Sequence, residues 1–143
     1  MIVLKKFLFI ISAIILISSV QGCKTDNSAE PETNSLVGTW TLTKITIPNG
    51  AASIILTPEQ AQVQSTITAK ADGTYNATVI DHGVTTTESG TYSVSGSVIT
   101  FKMQDGTTRS TEFTLNGNKL TIVQVISTPL AENTSATLEF TRQ

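Results

Sequence analysis

The chain has 143 residues, 39% hydrophobic and 14% charged, with a formal net charge of −2. That length fits a single domain with its own core. Without Lys5 and Lys6 near the start, seven basic and eleven acidic side chains remain, with no basic stripe for phosphate, which excludes nucleic acid as an expected partner. Threonine is abundant, and β-branched side chains favour a pleated, half-buried surface.

The first residues read as an address. Lys5 and Lys6 precede an apolar run of 14 residues, Phe7–Val20. That is short for a bilayer span, which needs about 20 residues, but the right length for the apolar part of a signal peptide. Val20-Gln21-Gly22-Cys23 follows, and Cys23 is the only cysteine of the chain. The segment resembles the lipobox of bacterial lipoproteins. The resemblance implies cleavage between Gly22 and Cys23, with diacylglycerol on Cys23 and acylation of the new amino group. Two or more acyl chains make a stable anchor, at about 0.8 kcal/mol per buried CH₂. Lys24 stands where some bacteria place the Asp that retains a lipoprotein at the inner membrane. A cell-envelope location at the outer membrane is therefore expected, on either its periplasmic or its surface face. Residues 24–35 carry no large apolar side chain and include Pro31, which reads as a tether reaching about 40 Å at full extension.

From Leu36 onward, short β-rich runs alternate with turn signals about every ten residues. The expected strands are 38–47, 64–71, 74–80, 84–94, 97–103, 107–115, 119–127 and 134–142. Asp72-Gly73, Asp81-His82-Gly83, Ser95-Gly96, Asp105-Gly106 and Asn116-Gly117 mark tight connections, so consecutive strands must run antiparallel as a meander. Thr57-Pro58-Glu59-Gln60 carries a helix cap, a proline at the first helical position and a Gln three residues after the cap. It predicts one short helix over 58–63, after the first strand. Closing the sheet into a barrel removes its exposed edges. Residues 36–143 are thus expected to form one all-β domain: an eight-stranded antiparallel up-and-down barrel.

Alternation assigns an inner face. Trp40 and Leu42 share a phase, as do Tyr75, Ala77 and Val79. So do Ile99, Phe101 and Met103, then Phe113 and Leu115, then Leu138, Phe140 and Arg142. In 84–94, threonines occupy both phases. The set Trp40, Leu42, Tyr75, Val79, Tyr92, Phe101, Phe113, Leu138 and Phe140 is the candidate interior or ligand-contacting set, with Thr86 and Thr100 as candidate polar groups among it.

Leu36-Val37-Gly38-Thr39-Trp40, Asp72-Gly73-Thr74-Tyr75 and Gly90-Thr91-Tyr92 resemble the lipocalin-like domains of small Bacteroidota cell-envelope lipoproteins. The likeness covers about 36–142. It implies a barrel that binds a small apolar ligand, and a basic residue packed across the first-strand tryptophan. Arg142, in phase with Phe140, would fill that role by a cation–π contact with Trp40.

Reaction chemistry is not evident. His82 is the single histidine and sits in a turn sequence. Asp72, Asp81 and Asp105 each stand in a glycine turn, and Glu88 and Glu112 read as exposed strand charges. No Gly-x-Ser-x-Gly or phosphate-binding context occurs. The expectation is a non-enzymatic protein without metal or cofactor. Two roles remain open: a carrier with a hollow barrel, or a structural or envelope-protein interaction module with a filled one.

Overall fold

A computed structural model of the chain describes residues 33–128 and 131–143. The expected signal peptide, Cys23 and most of the tether lie outside the described residues.

A 3-10 helix over Thr33–Leu36 leads into strand β1 (Gly38–Asn49). Strand β2 (Ala52–Leu56) turns back on β1, and helix α1 (Pro58–Ala61) follows. The remaining strands are β3 (Val63–Ala69), β4 (Thr74–Asp81), β5 (Val84–Ser95), β6 (Val98–Met103), β7 (Thr108–Asn116), β8 (Lys119–Thr128) and β9 (Ala131–Arg142). All pairings are antiparallel between chain neighbours from β3 to β9, and β9 returns to pair with β1. Strands β1 and β3–β9 therefore make the closed eight-stranded barrel that the strand pattern predicts. All its strands, and the buried core, lie within Leu36–Arg142, so that stretch carries its own closure.

Strand β2 was not expected. Ile45–Asn49 of β1 pairs with Ala52–Leu56, while Gly38–Thr41 pairs with β3 on the same side. The extra strand forms because β1 runs two residues past Ile47 and Gly50 supplies a left-handed turn at φ 60°. Helix α1 then fills the interval between β2 and β3 and packs on β1 and β3. Its sequence accounts for it. Gln60 N–H donates to Thr57 Oγ1 (3.3 Å) and Thr57 N–H donates to Gln60 Oε1 (2.9 Å), a reciprocal cap. Gln62, left-handed at φ 55°, ends it after one turn, two residues short of the expected 58–63 span at its C-terminal side.

A bulge between Leu42 and Lys44 shifts the phase of β1. Trp40 and Leu42 point inward before it, and Ile45 and Ile47 after it, all buried. Toward the Trp40 end, Trp40, Tyr92, Ile99, Phe113 and Leu120 pack solidly. Each large side chain so buried contributes about 1.5–3 kcal/mol. Leu36 closes this end, its carbonyl accepting from Trp40 Nε1 at 2.8 Å.

Candidate functional site

Packing does not continue to the other end. A cavity of about 700 Å³ opens between the β4 and β5 turn, the middle of β7 and the far half of β8. One wall is apolar: Leu42 and Ile45 from β1, Ile67 from β3, Ile122 from β8, Leu138 and Phe140 from β9. The opposite wall, from β4 to β7, mixes Tyr75, Ala77, Val79 and Phe101 with the polar groups Asp81, Thr86, Glu88 and Arg109.

Those polar groups are organised. Tyr75 O–H donates to Glu88 Oε1 at 2.5 Å, and Arg109 Nη2 approaches Glu88 Oε2 at 3.5 Å. The phenol ring meets Phe101 edge-on, centroids 4.8 Å apart. Burial, and then the Glu88 carboxylate it bonds to, hold the Tyr75 hydroxyl well above the ordinary phenol range. Both effects keep the proton on the phenol, which donates it to Glu88. Register explains the cluster. Tyr75 lies opposite Gly90 and Ala77 opposite Glu88, so Glu88 is one inward position along from Tyr75. Arg109 lies opposite Phe101 on β7. Gly90 is required here, since a Cβ would stand 2.0 Å from the Lys102 carbonyl oxygen.

The cavity also reaches the barrel side. The β7–β8 ladder runs only from Asn116/Lys119 to Phe113/Ile122. Beyond it, Arg109–Thr111 and Val123–Ile126 form two lips, joined by a hydrogen bond from Thr111 Oγ1 to the Val123 carbonyl. Val123 and Val125 are exposed there.

Of the residues expected inside from sequence, Leu42, Tyr75, Val79, Phe101, Leu138 and Phe140 line the cavity. Trp40, Tyr92 and Phe113 are buried in the packed end instead. Tyr92 is held by its hydroxyl on the Lys70 carbonyl (3.0 Å). Arg142 stacks on Trp40, away from the cavity lining. Thr86 lines the cavity, but Thr100 alternates with inward Ile99 and Phe101 and bonds Ser110 on the outer side. Glu88 is a correction: it faces inward, half-buried, and is not an exposed strand charge. Glu112 is exposed. Arg109 carried no sequence signal beyond its inward phase with Phe113. His82 pairs with Asp81 in the surface turn. Among the described residues no group of three His, Cys, Asp or Glu side chains could hold a metal ion, and no helix is long and apolar enough to cross a membrane.

Comparison with known proteins bears on this geometry. The model of the lipocalin-like domain family matches residues 36–122. The chain belongs to the lipocalin-like domain family. In this lipocalin-like domain the match spans β1 through the start of β8, and the closing β9 lies past it. Among solved structures the domain is similar to an uncharacterized protein from Bacteroides eggerthii DSM 20697, with 13% identity and a TM-score of 0.48 over 75% of this chain and 98% of that one. No curated protein matches the chain. An eight-stranded barrel can hold one small ligand, and the half-hollow interior of this lipocalin-like domain has the volume for one.

Proposed function

We propose that the protein is a lipid-anchored cell-envelope carrier whose barrel holds one small, mainly apolar molecule. The observation that supports it is the cavity. At about 700 Å³ it falls within the range of small-molecule sites, about 300–1,000 Å³, and it pairs apolar walls with a few converging polar groups. A filled-barrel interaction module would need that space packed. The reading assigns no reaction to the site: Glu88 is engaged by Tyr75 and Arg109, and His82 by Asp81.

The anchor rests on the sequence around Cys23. With lipid on Cys23 and the tether behind it, the carrier would stand off the outer membrane while its cavity exchanges ligand. Cys23→Ser should abolish acyl labelling and leave unprocessed precursor; normal labelling and processing would refute the anchor.

The carrier reading is tested by native mass spectrometry of the chain from Lys24 onward, purified gently from a bacterial envelope extract. A retained small molecule released on denaturation supports it and identifies the ligand. A bare mass, together with failure to take up any apolar probe, would overturn it in favour of a protein-interaction role.

A further inference from the structure

The carrier reading leaves the chemistry of the ligand open, and the polar wall narrows it. Three charged side chains line the cavity: Asp81, Glu88 and Arg109. Two acids against one base make that lining no attractant for an anion. The base is itself matched to Glu88, and the two sit beside each other partly shielded from water, with side chains 29% and 55% exposed.

Neither member of this pair is saturated. A guanidinium has five N–H donors. Among the described residues, the contacts of Arg109 run through Nη2 alone, to Glu88 Oε2 (3.5 Å) and Met103 Sδ (3.8 Å). A carboxylate has about four acceptor positions, of which Glu88 uses two, for Tyr75 and Arg109. Spare donors therefore stand beside spare acceptors on a wall whose neighbours Tyr75, Ala77, Val79 and Phe101 are mainly apolar and which faces an apolar wall across the cavity. The Tyr75 proton is committed to Glu88 and fixes that carboxylate in place.

Resting on the carrier reading, we propose that the pocket selects an apolar molecule bearing one uncharged group that both donates and accepts, a hydroxyl or primary amide, seated between Glu88 and Arg109. Such a group satisfies both neighbours at once. A carboxylate pairs with Arg109 only by competing with Glu88 and facing its charge. An ammonium pairs with Glu88 only by facing Arg109. Either ion also gives up its hydration on entering an apolar cavity, a cost that an uncharged group largely avoids.

The test is displacement of the neutral, environment-sensitive dye phenylnaphthylamine from the chain from Lys24 onward at pH 7. The competitors are straight alkyl chains of one length ending in a primary alcohol, a primary amide, a carboxylate or an ammonium group. The alcohol and the amide should displace the dye at concentrations at least about tenfold below those of the two ions. Glu88→Gln removes the carboxylate paired directly with Arg109, so the carboxylate competitor should gain about tenfold relative to the alcohol. Dye uptake by that variant serves as the check that its cavity is intact; without uptake, the wild-type ranking decides alone. Equal displacement by all four compounds, or preference for either ion, overturns the head-group proposal and leaves the carrier reading standing. Absence of binding by the dye and by every competitor overturns the carrier reading itself.

Discussion

The guanidinium carbon of Arg142 lies 4.5 Å from the ring centre of Trp40, and the two residues are direct register partners across β1 and β9. The contact therefore sits on the seam that closes the barrel. It also fastens the segment preceding β1: Arg142 Nη2 donates to the Ser35 carbonyl at 2.6 Å and Trp40 Nε1 to the Leu36 carbonyl at 2.8 Å. Arg142 Nε is buried among the described residues without a hydrogen-bond partner, so stacking on the indole is the compensation the geometry offers that part of the guanidinium.

Truncating this seam should be costly. Trp40→Ala is expected to lose about 3–5 kcal/mol of stability, as for other buried aromatic rings. Arg142→Met keeps much of the packing but removes the cation and its bond to Ser35, for an expected loss of about 2–3 kcal/mol. Urea denaturation of both variants measures this. A loss under about 1 kcal/mol for Trp40→Ala would mean the ring is not part of the core.

Gly90 should tolerate no side chain. With a Cβ 2.0 Å from the Lys102 carbonyl oxygen, Gly90→Ala must push apart the backbones of β5 and β6. The expected loss is more than about 2 kcal/mol, read from the denaturation midpoint. Wild-type stability would show that these strands separate easily.

Filling the cavity should impair binding and leave stability nearly unchanged. Ala77 lines the cavity opposite Glu88 and Ile67. Ala77→Phe is expected to weaken dye binding at least tenfold while changing stability by less than about 1 kcal/mol, since the ring enters empty space. A packed interior would instead make the change cost about 1–3 kcal/mol. Parallel binding and unfolding titrations separate the two.

Acid should weaken the outer face of the same seam. Lys44 and Lys119 reach the Glu139 carboxylate at 3.0 and 3.2 Å, and their hydrogen bonds, that of Lys44 first, lower its pKa. Because the folded value lies below the unfolded one, this stabilisation is complete above the unfolded carboxylate value, near pH 4.3. It is lost as pH falls through the lowered folded value. Glu139→Gln should cost about 0.5–1 kcal/mol at pH 7 and flatten that part of the acid limb. An unchanged limb would mean the pairs contribute nothing in solution.

Much of the barrel was legible because its signals are local. Asp72 and Asp105 hold their turns through bonds to the amides of Thr74 (2.9 Å) and Thr107 (2.8 Å), and His82 and Gly83 supply the left-handed pair, φ 49° and 83°, of the β4–β5 hairpin. The Thr57–Gln60 cap is likewise written within four residues. Period-two alternation put Trp40, Phe140 and Arg142 on one face. It misled where the period is interrupted or uninformative. The bulge at Leu42/Lys44 changes phase mid-strand, and β2 has only five residues. In β5, threonine on both faces hid which one turns inward.

The sequence by itself determined the eight barrel strands, though not β2, with their order and antiparallel sense, because turn chemistry and side-chain alternation act over a few residues. It also carries Val20-Gln21-Gly22-Cys23, the segment on which the anchor proposal rests. Tertiary structure alone decided that Glu88 faces the interior and that the interior is hollow at one end. A half-buried carboxylate is tolerable only with partners, and Glu88 finds them in Tyr75, 13 residues before it, and Arg109, 21 residues after it. Whether a closed sheet is filled depends on the summed volumes of inward side chains from every strand around the barrel, a quantity no single segment carries.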